Sequence, residues 1–382
     1  MAGNDDAAYV IGRPALDHLI GTLRADGYLT VGPRVSDGAI VPGPVSSSAE
    51  LPEGWHDEQS PGHYRLHHGD DHALFSWAVG PQSAKQWLLP AEEVVWRASP
   101  HQDGWSSADT PEAGQPVALV GLRPCELAAI GVLDRVLDGA KVPDPSYRRR
   151  RRAMVLVVVE CGTPADTCFC PSMETGPEAG PGADLVLTEL PGEDATRFVA
   201  RAGTERGENM LAKLGATAAT AATGADRRAA GAVVDRARHS IHRYMDTHDL
   251  PAVLRANLEH PRWQEVAGRC LACGNCTMVC PTCFCTDVSD TTDLRGVLTR
   301  TRRWASCFDL EHSFLHGGTV RTSTASRYRQ WLTHKLGTWH DQFGVSGCVG
   351  CGRCITWCPV GIDLTEEAAA LRSGGDGRQA AS

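Results

Sequence analysis

The sequence predicts an α+β fold: an N-terminal α/β domain over residues 1–250, a mainly helical domain over 251–372, and a disordered tail at 373–382. Three observations carry this. AMVLVVVE (153–160) is a continuous β-branched run, the pattern of a strand buried on both faces. It follows a second apolar strand, QPVALVGL (115–122), and an amphipathic stretch, CELAAIGVLDRVLDG (125–139), in the strand–helix–strand order of a βαβ unit. Beyond Pro251 strand signals thin out, and cysteine-rich runs stand on a helical background.

The elements follow in order. ALDHLIGTLRADGY (15–28) has helical spacing and stops at Gly27. GHYRLHHGDDHALFSWAVG (62–80) reads as two strands around a polar turn, so His63, His67, His68 and His72 belong to a hairpin tip rather than to a metal. Arg123-Pro124 breaks the 115–122 strand, and the following helix ends at Gly139. The arginines Arg148 to Arg152 read either as a solvated turn before the buried strand or as a contact for an acidic partner subunit. TCFCPSMETGPEAGPGAD (167–184) is a loop, and ADLVLTEL (183–190) is a strand. GATAATAATGAD (215–226) is low-complexity, a helical turn or a connector. RRAAGAVVDRARHSIHRYMDTH (227–248) is a long helix, and Pro251 opens another that leads to Trp263. Residues 312–344 look partly helical.

Composition narrows the function classes. The net charge of −9 argues against nucleic acid as the main partner. The opening MAGNDDAAYVIGRPALDHLI has no basic n-region and no unbroken apolar run. No stretch approaches the roughly 18 apolar residues of a membrane span. The expectation is a soluble, cytoplasmic chain without a membrane partner. There thiols stay reduced, and 15 cysteines favour metal over disulfide.

CLACGNCTMVCP places Cys270, Cys273, Cys276 and Cys280 in C-x2-C-x2-C-x3-C-P spacing. CVGCGRCITWCP repeats it with Cys348, Cys351, Cys354 and Cys358. Three thiolates at i, i+3 and i+6 wrap one corner of a cubane, and Gly274, Gly350 and Gly352 let the backbone approach its sulfides. In two-cluster ferredoxins the fourth cysteine of each run ligates the other cluster. The expected sets are therefore Cys270, Cys273, Cys276 and Cys358 for the first [4Fe-4S] cluster, and Cys348, Cys351, Cys354 and Cys280 for the second. This makes 251–372 a helical ferredoxin-like domain. Zinc sites pair two C-x2-C units at longer spacing, which this doubled motif does not match.

Four further cysteines lie in the N-terminal half. Cys125 sits at a strand-to-helix turn, where a helix N-terminus favours a thiolate. Cys161 follows the buried strand, at the carboxyl end where α/β sheets collect ligands. Cys168 and Cys170 flank Phe169 and share a side if extended. Together they are candidate ligands of a third cluster; the alternatives are buried apolar thiols or a redox-active pair. Cys283 and Cys285, which follow the first motif closely, are expected to pack around the first cluster, with a ligand role as the alternative; the role of Cys307 stays open. No G-x-G-x-x-G, G-x-x-x-x-G-K-[ST] or H-E-x-x-H is present, so the clusters read as a relay with no catalytic residue of the chain's own.

GLRPCELAAIGVLDRV, CGTPADTCFCPSMETGP, CLACGNCTMVCPTCFCTD and CVGCGRCITWCPVGIDL, in that order, resemble the iron–sulfur β subunit of cytosolic NAD(P)-linked [NiFe]-hydrogenases, also called sulfhydrogenases. The A subunit of anaerobic sulfite reductase is similar. The resemblance spans most of residues 60 to 370, and the paired CFC motifs and the G-x-R-P-C-E turn make it specific. It implies a non-catalytic electron-transfer subunit. Its partners would be a flavin NAD(P)H-oxidoreductase subunit and the small and large subunits of a [NiFe]-hydrogenase. Two alternatives stay open: the electron-input subunit of an anaerobic sulfite reductase, and a sulfur reductase acting through Cys168 and Cys170 or Cys283 and Cys285.

Overall fold

The computed structural model describes residues 7–108, 114–190, 192, 196–215 and 218–373. The chain opens with β1 (Ala8–Gly12), and a helix over Arg13–Ala25 leads to a hairpin of β2 (Leu29–Ser36) and β3 (Ala39–Pro44). A second hairpin, β4 (Trp55–Ser60) and β5 (His63–His68), precedes a third, β6 (Glu92–His101) and β7 (Gly104–Ala108). Then come β8 (Val117–Leu122), β9 (Val155–Val159), β10 (Leu185–Leu190), β11 (Arg197–Ala202) and the short β12 (Ala219–Ala221).

The largest sheet has the order β12-β1-β11-β10-β9-β8-β2-β3. Its centre, β2, β8, β9 and β10, is parallel, and its margins are antiparallel. Every residue of β9 is buried, as its unbroken apolar run requires. Val155, Val157 and Val159 face a core shared with Leu16, Leu19 and Leu23 of the first helix and Leu211 of the helix over Glu205–Leu214. Leu156 and Val158 face the opposite core, with Leu127, Ile130 and Leu133 of the helix over Pro124–Leu133. The sheet is thus covered on both sides, and β8 and β9 end at one edge, just before Cys125 and Cys161.

The helical half carries its own core. Leu254, Trp263, Val266, Tyr328, Trp331, Leu332 and Ile355 pack together, and cysteines of both motifs lie against them. Phe169 of the N-terminal half is buried in this core. The half is mainly helical but carries strands as well. Strands β13 (Thr286–Thr292) and β14 (Leu298–Trp304) form the sheet β13-β14-β6-β7, so a sheet crosses the boundary expected at residue 250. β13 escaped notice because it is almost wholly exposed and polar, without the alternation that marks a half-buried strand.

Other differences are local. The histidine hairpin turns at 61–62, its first strand begins at Trp55, and 69–80 forms no strand. The arginine run lies on a helix, Pro145–Ala153, started by Pro145 and capped by the Asp144 carboxylate. The helix expected over 227–248 spans Gly224–Ser240, held at its start by a reciprocal Thr223–Asp226 cap. The last helix ends at Ser373, and the tail expected to be disordered otherwise lies outside the described residues. Among the described residues no helix is long and apolar enough to cross a membrane.

Candidate metal centres

A helix over Arg262–Arg269 ends at Cys270 and starts the first thiol loop. Ala272 and Gly274 both adopt positive φ, 51° and 72°. That reversal turns the Ala272 amide back to donate to Cys270 Sγ at 3.4 Å. A helical turn, Asn275–Met278, then carries Cys276. A thiol of the other motif, Cys358, lies beside these three. Burial first, then Cys307, Cys270, Cys358 and Cys273, pushes the Cys276 thiol well above its ordinary range. Cys358 is likewise beside Cys270 and accepts from the Ile362 amide at 3.3 Å.

The second loop repeats this backbone. Gly350 and Gly352 take φ of 64° and 75°, the Gly350 amide donates to Cys348 Sγ at 3.4 Å, and a helical turn over Arg353–Thr356 follows. Burial raises the Cys354 thiol, reinforced by Cys348, Cys351 and Cys280. Cys348 is pushed up to about 12 by burial, against the opposing pull of Lys335. The chain crossover therefore brings Cys358 to the first trio and Cys280 to the second.

The donor set fits cubane clusters. All cysteines are free thiols. Among the described residues no three His, Cys, Asp or Glu side chains are grouped closely enough to hold a single metal ion. A cavity is lined by Cys270, Cys273, Cys276, Cys358, Tyr328 and Trp331, with Cys354 of the other group at its wall, and Trp331 Nε1 and Tyr328 Oη are buried without a partner. Unpartnered buried donors are costly unless an acceptor meets them, and inorganic sulfide is one. Thiols held this high give up their protons when they ligate a metal.

The N-terminal cysteines gather beside the second trio. Burial raises Cys168 most, with Cys170, Cys161 and Cys351 adding to it; Cys170 likewise has Cys161 and Cys351 as neighbours. Cys125 lies near Cys351 and Cys170. Its thiol is pushed well up, so burial outweighs the helix N-terminus that favours the thiolate. Cys170 opens a tight helical turn, Cys170–Met173, so the pair is not fully extended. The loop is clamped to the second motif: the Phe169 amide donates to the Gly350 carbonyl at 2.8 Å, and Thr175 Oγ1 donates to the Val349 carbonyl at 2.6 Å.

The remaining thiols divide between the two groups. Cys307 lies beside Cys276 of the first group, but Cys283 lies beside Cys280 of the second. Of that pair Cys280 is held well below the ordinary thiol range: its contact with Cys283 outweighs burial, and Lys335 adds its charge. Three buried cations were missed. Lys85 lies beside Cys280 and Cys283 and gives its Nζ to the Cys283 carbonyl at 3.1 Å. Lys335 Nζ donates to Cys280 Sγ at 3.2 Å. Arg353, only 1% exposed, lies beside Cys351 and donates to Glu126 at 2.8 Å and to the Gly80 carbonyl at 2.7 Å. Arg353 was readable as the charged residue inside C-G-R-C; Lys335, far from either motif, was not. The histidines of β5 pack on hairpin neighbours, with His67 stacked on His56 and His68 edge-on to Trp55.

Residues 269–362 match the family model described as a 4Fe-4S dicluster domain. A curated relative, sulfhydrogenase 2 subunit beta of Pyrococcus furiosus, is 32% identical over 257 residues, covering 67% of this chain and 74% of the relative.

Proposed function

The chain belongs to the sulfhydrogenase β-subunit family, and from that premise we propose that it is a non-catalytic electron-transfer subunit of an NAD(P)-linked [NiFe]-hydrogenase. It would work in the cytoplasm between a flavin subunit that handles NAD(P)H and the small and large hydrogenase subunits. Cys270, Cys273, Cys276 and Cys358 would hold one [4Fe-4S] cluster, and Cys348, Cys351, Cys354 and Cys280 a second. Cys125, Cys161, Cys168 and Cys170 would hold a third. Clusters of this kind, when bound, accept and donate single electrons.

The observation that carries this reading is the exchange of fourth thiols between the two motifs, Cys358 toward Cys276 and Cys280 toward Cys354. The protein's own contribution is placement. Positive-φ positions aim amides at Cys270 and Cys348, and two cores exclude water around the thiols. Burial holds Cys168 and Cys170 well above their ordinary range, which argues against direct thiol chemistry on a sulfur substrate.

Reductive titration of the anaerobically purified chain tests the proposal. The expected result is reversible bleaching of iron–sulfur absorption with no H2 turnover. Clusters irreducible at every accessible potential, or H2 turnover by the isolated chain, would sink it.

A further inference from the structure

The two motifs share a backbone but differ in charge. Lys335 lies on a wide helical turn, His334–Thr338, between the helices over Thr324–Thr333 and Trp339–Phe343. Such wide turns recur at functional sites. Its side chain is 3% exposed. An ammonium has three N–H donors, and here each finds an acceptor. They go to Cys280 Sγ at 3.2 Å, Thr282 Oγ1 at 3.3 Å and the Gly347 carbonyl at 3.0 Å. Thr282 lies just beyond Cys280, and Gly347 just before Cys348. One buried charge therefore ties together both chain segments that supply the second thiol group.

The first group has no counterpart. Its crossover thiol, Cys358, accepts only from the neutral Ile362 amide. Among the described residues no lysine or arginine donates to Cys270, Cys273, Cys276 or Cys358. Arg327 approaches them but gives its Nη2 to Thr324 Oγ1 at 3.5 Å. At the position matching Arg353, the first motif has neutral Asn275, which donates to the Trp357 carbonyl. The two groups also differ in depth: Cys273 is exposed, whereas Cys280 is buried. A fixed positive charge favours the more negative, reduced form of a nearby centre, and more strongly where water is excluded.

We propose that Lys335 is a positioning residue that holds Cys280 in place by a charged hydrogen bond and raises the reduction potential of the second cluster above that of the first. The second cluster is then reduced before the first. This rests on the reading that Cys280 ligates the second cluster.

The test is potentiometry followed by electron paramagnetic resonance on the anaerobically purified full chain, with iron content measured alongside. Cys280→Ser and Cys273→Ser identify the second and first signals by which one each removes or alters. Lys335→Met is expected to shift the second signal to lower potential, with iron content unchanged. The shift should change one-electron exchange between the clusters at least tenfold, about 59 mV. The first signal should move less, and Lys335→Arg should restore most of the shift. Should Lys335→Met lose iron, Lys335→Gln keeps a donor without the charge and is read against Lys335→Arg in the same way. An unmoved second potential at full iron content overturns the proposal, as does an equal shift of both signals. If Cys280→Ser keeps all its iron and every signal, the ligand reading beneath the proposal has failed instead.

Discussion

At the scale of single residues, the two thiol loops show how one backbone tolerates different side chains. The third position of the first motif is Ala272, at φ 51°, and its twin in the second motif is Gly350, at φ 64°. An L-residue in left-handed backbone costs roughly 1–2 kcal/mol, which the first loop accepts. The second cannot. A Cβ at Gly350 would lie 2.7 Å from the Cys170 backbone, because the Cys168–Cys170 segment is pressed onto that loop. At Gly352 it would meet the Thr167 carbonyl at 2.6 Å. Gly350→Ala should therefore separate the two halves and cost more than the ~1–2 kcal/mol of conformational strain alone. Thermal unfolding and iron content check this: a lower melting temperature and partial iron loss are expected. Ala272→Gly should leave iron unchanged and shift stability by less than about 1 kcal/mol. Equal effects at the twin positions would show that the contact with Cys170 does not decide the difference.

At the scale of elements, the arginine helix is an internal brace. Arg148 pairs with Asp138, Arg151 with Asp134, and Arg150 with Glu93 of β6; Arg149 and Arg152 stay exposed. Arg302 of β14 reaches the other Glu93 oxygen at 2.7 Å and also pairs with Asp144, the cap of the arginine helix. This network fastens the crossing sheet to the helix. Burial alone would raise the Glu93 carboxyl, but Arg150 and Arg302 outweigh it and hold the group below its ordinary range. A depressed carboxylate contributes stability above its unfolded pKa of about 4.3, and that stability is lost as pH falls through the folded value. Glu93→Gln should thus destabilise the protein at neutral pH, on the order of 1–3 kcal/mol, because it leaves Arg150 without a carboxylate and Arg302 with Asp144 alone. Its melting temperature should also fall less steeply than the wild type's below about pH 5. Parallel acid profiles would remove Glu93 from the account. The network also marks the limit of the sequence reading. The buried β9, the helix over Pro124–Leu133 and the doubled cysteine spacing were legible, because each pattern is local. The pairing of β6 with β14 joins distant segments through side chains that look solvated in isolation.

At the scale of the whole molecule, the hydrogen bonds from Phe169 to Gly350 and from Thr175 to Val349 join the N-terminal thiols to the second group. The eight motif cysteines could be read into two sets from spacing, since the crossover is a property of the motif. Convergence of Cys125, Cys161, Cys168 and Cys170 depended on the parallel sheet delivering β8 and β9 to one edge, and only a partial reading of topology reached that far. In the fold, Cys351 of the second group neighbours Cys125, Cys168 and Cys170. A third cluster there would stand directly beside the second, so that the chain of centres would run from the exposed Cys273 through the helical half to the carboxyl edge of the large sheet. Iron and acid-labile sulfide per chain decide this. With three cubane clusters, anaerobically purified protein should hold about twelve irons, falling to about eight in a Cys168→Ser/Cys170→Ser variant. The melting temperature must be compared as well, because Phe169 between them anchors the helical core and a misfolded loop would also lose iron from the second group. A variant that melts like the wild type with about four fewer irons establishes the third set of ligands. About eight irons in both proteins would confine the clusters to the two motifs and leave these four thiols as packing between the halves.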